Sequence, residues 1–339
     1  MTEAWMQRAR AAALVMAMLV LSACATPAVQ GALSPPADFA GPRLEADHAV
    51  MGDGARLPLM RWLPEGEPRA VIVALHGMND TRAAWNMAGS AWAAQGIITY
   101  AYDQRGFGGA PGRGVWAGED LLTSDLATLT RLLRARHPGL PLTVVGESMG
   151  GAVVIAAFTS GRPPQAERVA LLAPAVWGWS TQPVHYRASL WVAARLLGDL
   201  AVEPPEAAVR NIMASDNLVE LVRMSRDPGL ITATRFDTLY GLVSLMEQAS
   251  QRLSALAVPA AVFYGGDDQV ITMAPMRRAL ARAPEGTRTA FYPEGFHLLT
   301  RSFEGERVAD DVAAFALGVM DGDDAPWPSG ARPFPGRNR

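Results

Sequence analysis

Residues Leu142–Phe158 read LTVVGESMGGAVVIAAF. An apolar, β-branched run enters Gly146-Glu147-Ser148-Met149-Gly150, and a small-residue apolar run of helical length follows. The pattern predicts a strand, a very tight turn and a helix. The turn matches G-x-S-x-G, in which a sharp reversal lifts the serine hydroxyl clear of the sheet. Its glycines are required because a side chain on either flank would collide with the strand or the helix. The same reversal aims the backbone N–H of Met149 at the space beside the hydroxyl. One turn can therefore supply a nucleophile, Ser148, and half of an oxyanion hole. A chain built around such a turn needs a sheet beneath it.

The rest of the chain can provide one. Half of the 339 residues are hydrophobic and 19% are charged, so a large core can form. The net charge of −3 gives no footprint for nucleic acid. All 30 basic residues are arginine. Lysine Schiff bases, a Ser-Lys dyad and a Walker A lysine are thereby excluded. The only cysteine is Cys24, which excludes an intrachain disulfide and a cysteine-rich metal site.

Residues 1–23 read as a secretion signal. Arg8 and Arg10 precede the apolar run Ala11–Leu21, which is shorter than the roughly 20 residues a membrane span needs. The following Leu21-Ser22-Ala23-Cys24 resembles the lipobox of bacterial lipoproteins. That resemblance implies cleavage before Cys24, acylation of the cysteine and attachment to the membrane through an N-terminal lipid anchor. A plain signal peptide cut around Ala23-Cys24-Ala25 and an uncleaved signal anchor are the competing readings. The position of the chain's only cysteine favours the lipoprotein. Ala25 in place of aspartate implies, by resemblance to lipoprotein sorting, the outer membrane of a bacterial cell envelope, facing the periplasm. Residues 24–43 are Pro/Ala/Gly-rich and are expected to form a flexible tether. Residues 321–339 are Pro/Gly-rich and polar and are expected to be disordered.

Between these ends, short apolar runs alternate with helical patterns. Strands are expected at Arg56–Trp62, Ala70–Leu75, Ile97–Tyr102, Leu142–Gly146, Arg168–Leu172, Ala260–Tyr264 and Thr289–Tyr292. Helices are expected at Thr81–Gln95 and Gly118–Arg136. This rhythm implies a mostly parallel sheet covered on both faces, with its site at the carboxyl ends of the strands. The polar candidates fall there. Ala70–Leu75 ends in His76-Gly77-Met78-Asn79, where the Met78 N–H can be a second oxyanion donor and His76 is expected to order the loop. Ile97–Tyr102 ends in Asp103-Gln104-Arg105, whose carboxylate and guanidinium are expected to pair and pin a glycine turn. Ala260–Tyr264 leads to Asp267 and Asp268, either of which can orient a histidine. Of five histidines, only His297 follows both the serine and a strand-end aspartate, which makes it the candidate general base.

The segments HGMN, YDQRGFG, VVGESMGG, YGGDDQV and EGFHLLTR resemble, in order and spacing, the α/β-hydrolase superfamily and its monoacylglycerol lipase / lysophospholipase-like branch. The resemblance covers about residues 44–318. It implies an α/β-hydrolase fold, with a body at 44–173 and 257–320 and a helical cap inserted at 174–256. It places the catalytic acid at Asp268, with Asp267 as fallback. Where the family often carries histidine before the nucleophile, this chain has Glu147, expected to alter the charge beside Ser148. Cap helices are expected at Ala188–Leu200, Leu218–Ser225 and Leu239–Leu253. Trp177, Trp179, Tyr186 and Trp191 either line an acyl pocket or pack the cap onto the body.

The resulting expectation is a serine hydrolase of lipid-like esters using Ser148, Asp268 and His297, with Met78 and Met149 as oxyanion donors and no cofactor or metal. The alternatives are an envelope transacylase, a short-chain esterase and a non-catalytic lipid- or partner-binding lipoprotein.

Overall fold

The computed structural model describes residue 7 and residues 26–205, 210–319 and 325–336. The signal segment (apart from residue 7) and Cys24 lie outside the described residues.

The chain forms β1 (Arg43–Leu44), β2 (His48–Val50), β3 (Arg56–Trp62), β4 (Ala70–Leu75), β5 (Ile97–Tyr102), β6 (Leu142–Glu147) and β7 (Arg168–Leu172). The short strands β8 (Ala201–Val202) and β9 (Thr234–Arg235) follow, then β10 (Ala260–Gly265) and β11 (Arg288–Tyr292). Nine of these make one sheet in the order β1-β2-β3-β5-β4-β6-β7-β10-β11. The first three pair antiparallel, as does β3 with β5. From β5 through β11 all neighbours are parallel. β4, β5 and β6 are buried along their whole length, as continuous apolar runs in a doubly covered sheet require. The strand order reverses at β4, so a crevice opens beyond the carboxyl ends of β4 and β6.

Two apolar layers sandwich the sheet. On one face the helices Gly118–Arg136, Met149–Phe158 and Phe236–Arg252 contribute to the core. On the other face lie the helices Asn86–Ala94 and Gly305–Ala316. The leucine spacing expected over Gly118–Arg136 buries Leu122, Leu126, Leu129 and Leu133.

Several expectations are corrected. The cap is not purely helical: β8 and β9 pair antiparallel within it. Its first helix runs Val184–Leu196, four residues ahead of the expected span, because it can start directly after Pro183. The tail is not disordered over residues 325–336. Trp327 packs its ring 5.1 Å from that of Phe263 and donates its Nε1–H to the Thr289 carbonyl at 2.8 Å. Phe334 packs against Tyr264 and Phe291, and Arg332 exchanges backbone hydrogen bonds with Phe291 on the outer edge of β11. Pro/Gly content concealed two aromatic anchors. Nor is the segment after Cys24 a free tether throughout. The Gln30 N–H donates to Trp116 O, and its Nε2 donates to the carbonyls of Val115 and Gly112. The Leu33 N–H donates to Asp53 Oδ2 at 2.8 Å. Arg105 does not pair with Asp103 either. It binds Asp53 and Asp125, each through two hydrogen bonds, while Asp103 accepts from the Arg82 side chain and from the Gly109 N–H.

Candidate active site

The elbow forms because β6 ends beside two strands that leave it no lateral room. The Ser148 N–H donates to Leu172 O on β7, and Ser148 O accepts from the Ala175 N–H, both at 2.9 Å. Between these ties Ser148 adopts φ 52° and ψ −118°, a strained conformation for a residue with a side chain. A Cβ at Gly150 would stand 2.3 Å from the Leu75 carbonyl oxygen, so the turn admits only glycine there. Met149 opens the helix Met149–Phe158 and is fully buried, so its N–H lies at a helix N-terminus.

The loop after β4 lies against this turn. A Cβ built at Gly77 would be 3.3 Å from Ser148 Cβ, which brings the Met78 segment to the nucleophile. His76 orders that loop: its Nδ1 bonds Gly77 O at 2.7 Å and its Nε2 accepts from the Gln104 N–H at 3.0 Å. Both ring nitrogens are engaged, so His76 has no lone pair for a serine proton. Gln104 also donates its side-chain Nε2–H to His76 O, a support that sequence reasoning had not assigned.

His297 and Asp268 meet as expected. His297 Nδ1 donates to Asp268 Oδ2 at 2.8 Å, and both side chains are buried. Asp268 Oδ1 accepts the backbone N–H groups of Val270 and Ile271, each at 2.8 Å, which fixes the carboxylate plane. Asp267 is exposed, which decides between the two aspartates. With Nδ1 protonated, His297 Nε2 carries the lone pair. It is not hydrogen-bonded to Ser148 here, which is common where no substrate is bound. The other histidines lie elsewhere. His48 binds Asp47, His137 is half-buried against the Tyr100 hydroxyl, and His185 is exposed on the helix Val184–Leu196.

Glu147 does place a carboxylate beside the nucleophile, and the structure adds the partner that sequence reasoning missed. Arg301, fully buried, donates from Nη2 to Glu147 Oε2 and from Nη1 to Asp80 Oδ2, the latter at 2.7 Å. Burial raises the Glu147 carboxyl above its usual range, and Arg301 offsets only part of that. Burial also pushes Asp80 up, but the Arg301 charge and hydrogen bond, with His76 and the Thr81 N–H, together outweigh it and Asp80 ends below its usual range. A signal for this was present: a glutamate at the end of an apolar strand needs a cation, and here that cation must be arginine.

On the cap, Trp179 donates its Nε1–H to Ser244 Oγ at 3.1 Å and packs on Tyr240, while Arg195 lies over the rings of Trp191 and Tyr240. Trp179, Trp191 and Tyr240 line an open cavity of about 410 Å³ that none of the candidate catalytic residues reaches. Tyr186 is exposed.

Residues 66–304 match the family model described as serine aminopeptidase, S33. The chain is 30% identical over 288 residues to a monoacylglycerol lipase of Mycolicibacterium smegmatis, covering 80% of this chain and 97% of that protein. It is 25% identical to the human monoglyceride lipase, over 76% of this chain and 85% of that one. Among solved structures, a monoacylglycerol lipase of Paleococcus ferrophilus aligns with a TM-score of 0.65 at 18% identity, covering 77% of this chain and 98% of that chain. A soluble variant of the Saccharomyces cerevisiae monoglyceride lipase aligns at 0.67 and 16% identity, over 84% and 98% of the two chains. The strand order, the elbow at the end of β6 and these matches agree: the chain belongs to the serine aminopeptidase S33 family of α/β-hydrolases, in its monoacylglycerol lipase-like branch.

Proposed function

We propose that this chain is a serine hydrolase of carboxylic esters, with monoacylglycerol or lysophospholipid as the substrate class. The observation that carries the reading is the Asp268–His297 hydrogen bond, held at the same end of the sheet as the strained Ser148. The lipase names of the relatives support the lipid-like substrate.

In this mechanism His297 Nε2 takes the Ser148 proton as Oγ attacks the ester carbonyl. The Asp268 carboxylate stabilises the imidazolium that forms. The N–H groups of Met78 and Met149 receive the oxyanion; losing one such donor typically costs about 3 kcal/mol of transition-state stabilisation. The alcohol departs with the proton returned by His297. Water, activated by the same histidine, then hydrolyses the acyl-enzyme and frees Ser148. Residues 174–256 act as the substrate-selecting cap. Residues 1–23 act as a lipoprotein signal, and Cys24 carries the lipid that holds the enzyme on the outer membrane, facing the periplasm.

The test is hydrolysis of p-nitrophenyl esters from C2 to C16 by the protein lacking residues 1–25, with Ser148→Ala alongside. We expect a serine-dependent optimum at medium or long chains, and loss of at least about 10³-fold in Ser148→Ala. Substantial turnover by purified Ser148→Ala would sink the catalytic assignment. A preference for C2–C4 would overturn the lipid-like substrate alone. For the anchor, full-length Cys24→Ser should move from the membrane fraction to the soluble one; unchanged membrane retention and unchanged fatty-acid labelling would refute it.

A further inference from the structure

Arg301 carries a guanidinium that the proposed reaction does not use, yet it is tied to three segments that the reaction does use. Arg301 lies four residues after His297, on the turn Leu299–Arg301. Asp80, which accepts from its Nη1 at 2.7 Å, lies two residues after Met78 on the oxyanion loop. Glu147, which accepts from its Nη2, directly precedes Ser148. One buried cation therefore joins the base loop, the oxyanion loop and the nucleophile elbow. Met224 of the helix Leu218–Ser225 completes the enclosure, its sulfur 3.3 Å from Nη1.

Stability alone is a weak account of this cluster. Well-packed apolar residues of similar volume often replace a buried ion pair or triad at no cost. Here Glu147 Oε1, Arg301 Nε and the neighbouring Thr300 Oγ1 are also buried without a protein hydrogen-bond partner, which adds to the cost of the cluster.

Asp268 binds Nδ1 of His297 directly. Glu147 also interacts electrostatically with His297. Arg301 and Asp80 both act on Glu147, and His76 is a further titratable group that acts on Asp80. Arg223, on the cap helix, repels Arg301 but is itself paired with Glu220.

We propose that Arg301 is a positioning residue: it sets the register of the three catalytic segments by binding the buried carboxylates of the oxyanion loop and the nucleophile elbow from the base loop. The inference rests on the Ser148–His297–Asp268 reading. Its signature is a loss of rate without a loss of binding, with a pH shift that belongs to Glu147 alone. A general base must be neutral to work, so the acid limb of kcat/KM marks its protonation. Removing the guanidinium leaves the buried Glu147 carboxyl, already raised by burial, without its cation, so it takes up a proton and adds no charge beside the imidazolium; the limb stays close to that of the wild type. Removing the Glu147 charge leaves Arg301 balanced by Asp80 alone, which disfavours the imidazolium and moves the limb to lower pH.

The experiment measures pH profiles of kcat and KM on one soluble ester for the wild type, Arg301→Met, Glu147→Gln and Ser148→Ala, with thermal unfolding of each. Arg301→Met should lower kcat by about 10-fold or more with KM within about 3-fold, because misplaced groups lose rate before they lose binding. Its acid limb should stay within about half a pH unit of the wild type, while that of Glu147→Gln should fall by about that much or more. A kcat of Arg301→Met within about 2-fold of the wild type, or an unmoved Glu147→Gln limb, overturns the proposal. If Arg301→Met does not fold, the near-isosteric Glu147→Gln decides alone: an unmoved limb overturns the proposal, and a downward shift with the fold intact supports it. Hydrolysis surviving in Ser148→Ala would overturn the catalytic reading itself, whereas an inert Ser148→Ala with an undiminished kcat in Arg301→Met overturns only the role of Arg301.

Discussion

The elbow helix Met149–Phe158 and the cap helix Leu218–Ser225 treat their apolar residues in opposite ways. Every residue of the first is buried. In the second the only buried residue is Glu220, while Leu218 is 63% and Val219 80% exposed. The elbow helix lies between the sheet and the helix Phe236–Arg252, so its valines and alanines have partners on all sides. The cap helix turns its acid inward, where Glu220 binds both the Nε and the Nη2 of Arg223, and leaves its valines in solvent. Apolar residues at helical spacing therefore mark a segment as a helix, while its neighbours decide which face is covered.

That contrast can be broken experimentally. Gly150→Ala should have the largest effect. The added Cβ meets the backbone carbonyl of Leu75, which belongs to a central strand and cannot yield, so we expect a loss of about 3 kcal/mol or more in urea unfolding, together with activity. Near-wild-type stability would mean that the elbow has slack. Glu220→Ala should cost about 1 kcal/mol, since it removes a pair whose arginine is partly solvated and one of the cap's inward contacts. Val219→Ser should change stability by no more than about 0.5 kcal/mol in the same assay, because the side chain it replaces is already in water. A larger loss from Val219→Ser than from Glu220→Ala would reverse the ranking of the two faces and show that the outward valines have a partner in solution.

The same contrast explains what could be read from the chain. The body strands were legible because β4, β5 and β6 are unbroken apolar runs ended by polar loops. Ser148, Asp268 and His297 could be picked out because each lies in the polar loop or turn that follows a strand, within five residues of its end. The cap boundaries were less so: the helix Val184–Leu196 starts with exposed Val184, His185 and Tyr186, which give no one-sided stripe to read. Arg301 could not be assigned a role, since its partners Glu147 and Asp80 lie 154 and 221 residues away in sequence. Its existence was implied only by the awkwardness of Glu147. The tail misled for a different reason. Proline and glycine mark the absence of regular structure, and two aromatic side chains suffice to dock a segment that has none.

The docked tail has a consequence for handling the protein. β11 is the last strand of the parallel sheet, and the outer row of its backbone N–H and C=O groups faces the segment around Arg332. Such an unpaired row is a template for another chain to add itself. Arg332 and the ring of Phe334 act there as a selvedge, the finished border that keeps a fabric from unravelling or catching on its neighbour. Trimming the chain after residue 319 as though the remainder were a loose end would strip that border and invite self-association through β11, even with every catalytic residue left in place.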